Sequence, residues 1–398
     1  MIDTLLKLFL IPNHFQMNIQ SFVYKDNAVE WQLEPITFKP LTLLVGASGV
    51  GKTRILQAIL NLKKIVKGAS LNGIEWNVKF STRLGHFYEW QGCFENKGFL
   101  PEPADDSFFD NIDLPKIENE KLVINEQTLI ERNADGICFN GVKTVKLPQT
   151  KSVIYLLKEE EQIKTVSDEF QKIIKEDNSR DHAETFAVTL NGELEVRLKK
   201  YPSLDSIRNS FESLPVKIYL SYQNEKEVFE KIKNAFLDIF PYVKNIKMER
   251  VSFNDKNLPP RFRETLFFQI KEKGVNHWID ERKISSGMYR ALMLISELYL
   301  CADGTLILID EFENSLGINC IEEVTRSIVS HQRNLQFIIT SHHPYIINHI
   351  NFANWKLITR CAGIVKGTDA TTFNLGKSKH QAFTQLINLD EYVEGISE

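Results

Sequence analysis

Cysteine is scarce in this 398-residue sequence, and the five present are poorly placed for structural work. Cys93, Cys138, Cys301, Cys320 and Cys361 are odd in number, scattered and never spaced as CxxC. That pattern argues against a disulfide framework and against a zinc site, and it suits a reducing cytosol. Long apolar runs are missing as well. Even the apolar stretch from Ala291 to Ala302 is broken by Glu297, so nothing approaches the length that crosses a bilayer. The opening residues Met1 to Leu10 are apolar, but Asp3 stands where a secretory leader carries positive charge, and no small-residue cleavage site follows. They read as a short amphipathic helix. There is no internal repeat, no low-complexity tract and no heptad sustained long enough for a coiled-coil arm. A formal charge of -4 provides no global basicity that would point to nucleic acid. A cytoplasmic chain without a membrane partner is expected.

What is present is an interrupted β/α pattern. Ile19, Phe22 and Tyr24, then Trp31 and Leu33, alternate as two strands of a hairpin-like pair. A strand ending at Val45 runs into a glycine-rich loop, and Ile55, Leu56, Ile59, Leu60 and Leu62 then recur at helical spacing. Short strand candidates follow at Glu75 to Phe80 and Leu122 to Ile124, with a turn at Asn140-Gly141 and an irregular loop marked by Pro101, Pro103 and Pro115. From about Ser152 to Val243 helical periodicity dominates, broken by one strand-like stretch at Phe186 to Leu198. The β/α alternation then returns, with strands expected at Thr265 to Lys271, Thr305 to Ile309 and Gln336 to Thr340. Helices are expected from Ser286 to Leu300, near Ile321 to His331, and after Pro344.

Chemistry concentrates in two places. Gly46-Ala47-Ser48-Gly49-Val50-Gly51-Lys52-Thr53 matches GxxxxGK[ST] in full. Its glycines let successive backbone N–H groups turn toward a polyphosphate, Lys52 brings a point charge to the β- and γ-phosphates, and Thr53 offers a hydroxyl to Mg²⁺. The second place is Leu306-Ile307-Leu308-Ile309-Asp310-Glu311. A strand buried on both faces tolerates acids only at its carboxyl end, the edge at which open α/β sheets bind ligands. Asp310 then fits the Mg²⁺ shell, and Glu311 fits a base that polarises water. ATP and Mg²⁺ are the expected cofactors. Gln91, in Tyr88-Glu89-Trp90-Gln91-Gly92, lies at a plausible distance after Lys52 for a further Mg²⁺ contact, although an incidental glutamine at an aromatic strand end fits equally well.

Three further segments narrow the class. Ile284-Ser285-Ser286-Gly287-Met288 starts a helix shortly before the acidic strand, Asn314-Ser315-Leu316-Gly317 follows that strand, and Thr340-Ser341-His342-His343-Pro344 ends the next one. Taken singly each is bland: an SSG is usually a helix cap. In this order after the glycine loop they resemble the signature, D-loop and switch histidine of ATP-binding-cassette ATPases of the SMC, RecF and overcoming-lysogenization-defect kind. The stretch from Ile309 to Gly317 with Thr340 to Tyr345 further resembles stand-alone ATPases of bacterial anti-phage systems of the PARIS, Septu and retron types. Ser286 and Met288 depart from the LSGGQ consensus.

The resemblance implies an α/β P-loop NTPase with an ABC-type cassette split by a mainly helical insertion. The expected layout is an N-terminal extension (1–16), a first core half (17–149), the helical insert (150–245), a second core half (246–350) and a tail (351–398). It also implies hydrolysis with Glu311 and His342 as catalytic residues, and Ser286 and Gly287 reaching ATP held by another copy in a head-to-tail dimer or larger assembly. Since no metal-spaced His/Cys set and no second acid cluster occurs, a separate effector, such as a nuclease, is expected as the partner. A DNA-repair clamp built on the same engine is the alternative, with nucleic acid as its partner. A transporter ATPase subunit fits less well, because of the insert.

Overall fold

The computed structural model describes residues 17–82, 85–98, 113–176, 194–252, 264–330, 333–373, 375–376 and 379–396. The expected helix at Met1 to Leu10 and the loop prolines Pro101 and Pro103 lie outside them. Seventeen strands are formed by the described residues. Those that position the site are β1 (Asn18–Asp26), β2 (Trp31–Thr37), β3 (Leu41–Val45), β4 (Ile74–Ser81), β5 (Phe87–Phe94), β10 (Ile174–Glu176), β14 (Leu306–Ile309), β15 (Gln336–Thr340), β16 (Trp355–Cys361) and β17 (Ile364–Asp369). The main helices are α1 (Lys52–Val66), α2 (Val153–Leu156), α3 (Glu161–Gln171), α4 (Leu194–Lys200), α5 (Leu204–Arg208), α6 (Leu214–Asn224), α7 (Lys226–Ile239), α8 (Ser286–Leu300), α9 (Ile318–Ser330) and α10 (Pro344–His349).

A fourteen-stranded sheet runs β10-β14-β15-β3-β16-β17-β2-β1-β4-β5 and on through four more strands, β6 (Ile117–Ile124), β7 (Gln127–Asn133), β8 (Gly136–Phe139) and β9 (Val142–Lys143). From β10 to β16 every pairing is parallel, whereas β2, β1, β4 and β5 pair antiparallel. The parallel half separates two cores. Leu43, Val45, Ile307, Ile309, Phe337 and Ile339 face α6, α7, α8 and α9, and Leu44, Leu306, Leu308 and Ile338 face α1, α2 and α3. Successive side chains of a strand point to opposite faces, so a strand covered on both sides must be apolar throughout. That is why β14 and β15 read as unbroken hydrophobic runs. On α1, Ile55, Leu56, Ile59, Leu62 and Ile65 recur every three or four residues and are all fully buried, each contributing about 1.5–3 kcal/mol by leaving water.

Two features depart from the sequence pattern. Within the mainly helical segment 150–245 the strand lies at Ile174–Glu176, which pairs in parallel with Ile307–Ile309 and forms the edge of the main sheet. The strand-like stretch at Phe186 to Leu198 is a helix where it is described, α4, with Leu194 buried and Leu198 packed on the same core. The i,i+4 spacing of those two leucines overrides the alternation. A separate small sheet of β11 (Val243–Ser252), β12 (Glu264–Glu272) and β13 (Ile279–Asp280) leads into α8.

Candidate active site

The carboxyl ends of β3, β15 and β14 lie side by side, and the chain leaves each of them carrying chemistry. After β3 the loop from Gly46 turns into α1 with Gly46, Gly49 and Gly51 at φ 142°, 81° and 106°. These left-handed values are accessible to glycine at little cost. A Cβ on Gly46 would also collide with the Ile358 carbonyl of β16. Lys52 begins the helix, is nearly fully buried, and donates to the Gly46 and Ala47 carbonyls at 2.9 and 2.7 Å. Burial pulls its pKa down to about 8, partly offset by Asp310, Glu313 and Glu311.

Thr53 follows, and its hydroxyl donates to Asp310 Oδ1 at 3.1 Å. The Thr340 hydroxyl at the end of β15 donates to the same carboxylate oxygen at 2.8 Å and accepts from the Glu311 backbone N–H at 2.7 Å. Thr340 therefore locks the Asp310-Glu311 pair against the strand beside it. Glu311 takes φ 46°, a conformation uncommon for a residue with a side chain, which turns it out of the strand line. Ser48, Gly49, Lys52, Thr53, Glu311 and His342 all line one cleft of about 480 Å³. His342 is held there by its backbone N–H, which donates to Glu313 at 2.7 Å. Burial and the nearby Lys52 charge lower its pKa, favouring neutral imidazole. Its neighbour His343 caps α10 instead, its Nδ1 accepting from the Tyr345 N–H at 3.2 Å.

The donor set fits Mg²⁺ only in company with phosphates. Thr53 and Asp310 offer one hydroxyl and one carboxylate, and no group of three His, Cys, Asp or Glu able to hold an ion occurs among the described residues. Mg²⁺ in phosphate-binding sites takes few protein ligands and completes its octahedron from phosphate and water.

Ser286 and Gly287 do not line this cleft. Ser285 caps α8 by accepting from the Met288 N–H at 3.2 Å, leaving Ser286 in the first turn. A Cβ on Gly287 would lie 2.7 Å from the Ser315 carbonyl, so the segment 314–317 packs directly on that turn. Arg290, buried in α8, donates to the Asn314 carbonyl and to the Glu311 carbonyl at 3.4 Å. Gln91 is placed elsewhere. On β5 the buried residues are Tyr88, Trp90, Gly92 and Phe94, so Gln91 points to the opposite, exposed face, where it accepts from Asn77 at 3.1 Å.

Arg54, Gln57 and Arg360 also line the cleft, and the sequence pattern did not single them out. Arg54 immediately follows the motif; it pairs with Asp26 at 3.2 Å and lies 4.6 Å over the Trp31 ring. That adjacency was a usable signal. Arg360 comes from β16, and only the fold brings it near.

A glycine loop between a central parallel strand and a helix, with an acid pair ending a nearby strand of the same sheet, defines a P-loop NTPase. The chain belongs to the AAA_21 family, described as "AAA domain, putative AbiEii toxin, Type IV TA system", whose model matches residues 41–348. No curated protein matches it. Three solved SMC heads are similar to it. One is bound to the C-terminal winged-helix domain of ScpA, at 15% identity and TM-score 0.43, covering 88% of this chain and 97% of that one. A second, with an extended coiled coil and bound to the C-terminal domain of ScpA derived from Pyrococcus furiosus, has 14% identity and TM-score 0.43, covering 88% and 96%. The third, from Thermotoga maritima, has 13% identity and TM-score 0.37, covering 88% and 98%. No helix among the described residues is long and apolar enough to cross a membrane.

Proposed function

We propose that the chain is a cytoplasmic ATPase that completes its catalytic site with the Ser286-Gly287 segment of a second copy. ATP-driven closure of the copies would then control a separate effector, a nuclease, in anti-phage defence. The observation that carries the shared site is the division of functional residues. Lys52, Thr53, Glu311 and His342 share one cleft, with Asp310 bonded to Thr53 at its edge, while Ser286 and Gly287 sit outside it on the turn that packs against Ser315.

In this reading the Lys52 ammonium exchanges the Gly46 and Ala47 carbonyls for phosphate oxygens. Thr53 and Asp310 hold Mg²⁺, which when bound neutralises phosphate charge. Glu311 orients water, and neutral His342 hydrogen-bonds toward the terminal phosphate. The link to defence rests on the resemblance of Ile309 to Gly317 and Thr340 to Tyr345 to such ATPases, and on the toxin-antitoxin description of the family.

Glu311→Gln tests the engine. Hydrolysis should fall by at least about a hundredfold while ATP stays bound, and sizing with ATP should reveal a larger species that Ser286→Arg abolishes. Unchanged turnover would remove Glu311 from its role. For the effector, the chain should be harmless and unprotective when expressed alone, and should protect only with its gene neighbours. Nuclease activity of the purified chain that survives Glu311→Gln would place the effector within it. ATP-dependent duplex binding that falls steeply with salt would favour a DNA clamp.

A further inference from the structure

A second cavity, of about 660 Å³, opens near the other edge of the parallel sheet. It is bounded by the last turns of α1, by α3, by the loop joining α5 to α6, and by Cys301, Ala302 and Thr305 leading into β14. Thr305 precedes β14 while Asp310 follows it, so the cavity and the catalytic cleft lie at opposite ends of that strand. Its size falls within the range of small-molecule sites.

The lining is dominated by cations: Lys63, Lys67, Lys172, Arg208 and Lys217. Two of its carboxylates are committed to ion pairs, Glu169 with Lys172 at 3.1 Å and Glu212 with Arg197 at 3.3 Å. Lys63, Lys217 and Arg208 instead donate to main-chain carbonyls, those of Ile173 at 2.5 Å, Arg208 at 2.9 Å and Tyr299 at 2.7 Å. A carbonyl satisfies a hydrogen bond but brings no formal counter-charge. Glu297 and Glu212 act on Lys217, and Asp303 and Asp205 on Arg208, while burial disfavours the charged form of Glu297. Burial and the charge of Lys67 hold the Lys63 pKa down at about 8. Phe211 lines the same cavity with 74% of its surface exposed, leaving an aromatic side chain beside the cations.

We propose that this cavity binds a nucleoside phosphate, with Lys67, Arg208 and Lys217 on the phosphates and Phe211 against the base. The bounded volume exceeds what inorganic phosphate needs.

The test uses the full chain carrying Lys52→Ala, so that the glycine loop does not compete, titrated by calorimetry with adenosine 5′-monophosphate and with inorganic pyrophosphate. One site per chain is expected for each probe. Lys67→Glu and Arg208→Gln should each weaken both probes by about tenfold or more. Phe211→Ala should weaken the nucleotide and leave pyrophosphate unchanged. Lys67 and Phe211 are exposed, so their substitution spares the fold. Absence of saturable binding, binding indifferent to Lys67→Glu, or preferential binding of duplex DNA would overturn the proposal.

Discussion

Lys52 and Lys63 stand at opposite ends of α1, about 16 Å apart along its axis. Both donate to backbone carbonyls, and both have a pKa brought down to about 8 by burial. Their surroundings differ in sign. Lys52 faces Asp310, Glu311 and Glu313, which favour its charge, whereas Lys63 faces Lys67, which opposes it. A buried lysine on its own therefore says little about role. At one end acids surround the lysine beside the glycine loop; at the other, five cations outnumber three acids.

The largest expected effect separates the two ends outright. Lys52→Ala should weaken ATP binding by at least about a hundredfold, read by calorimetry, while Lys63→Ala changes it by no more than a few fold. Equal losses would mean that α1 as a whole, and not its amino end, carries the affinity.

Next, the carbonyl of Ser315 leaves no room for a methyl group on Gly287. Gly287→Ala should cut hydrolysis by about tenfold or more, since overpacking of this kind costs roughly 1–3 kcal/mol, with ATP affinity of the isolated chain unchanged. A parallel fall in affinity would tie the α8 turn to the cleft of its own chain.

A smaller change is expected from Thr340→Val, which strips a partner from Asp310 and from the Glu311 N–H. Chemical denaturation should show a loss of about 1–3 kcal/mol. No loss would mean that water replaces the hydroxyl.

The smallest effect concerns pH. Between about pH 8 and 10.5 the two lysines bind fewer protons in the folded chain than in the unfolded one, so their contribution makes stability rise with pH across that window. Below it the cost of burying their charges is constant. The melting temperature of Lys63→Met should therefore climb less than that of the wild type between pH 8 and 10, and parallel curves would show that Lys63 is solvated.

The cleft was legible in the sequence to the extent that its parts are contiguous. The loop from Gly46 to Thr53 is one peptide, and β14 announces itself because burial on both faces forbids a polar residue before Asp310. α8 runs from Ser286 to Leu300, the span that its capping serine and apolar spacing mark out. β10 escaped notice because three residues, two of them charged, carry no periodic signal. Gln91 was suggested by sequence distance, but pleat alternation turns it to the outer face. Arg290 and Arg360 owe their positions to packing between remote segments, and the basic cavity is assembled from several separated stretches, so no local pattern could mark either.

The neighbours of β3 carry one more consequence. Leu41 pairs with Phe337, and Leu43 with Trp355, so both flanks of the strand that bears the glycine loop are supplied by chain roughly three hundred residues downstream. At typical synthesis rates of about 5–20 residues per second, a ribosome takes roughly 15–60 s to deliver them. Throughout that interval the nascent β3 has no sheet to join, and its apolar edges are open to wrong partners. The nucleotide pocket therefore cannot close until β15 and β16 have been made, a non-local pairing of the kind that slows folding.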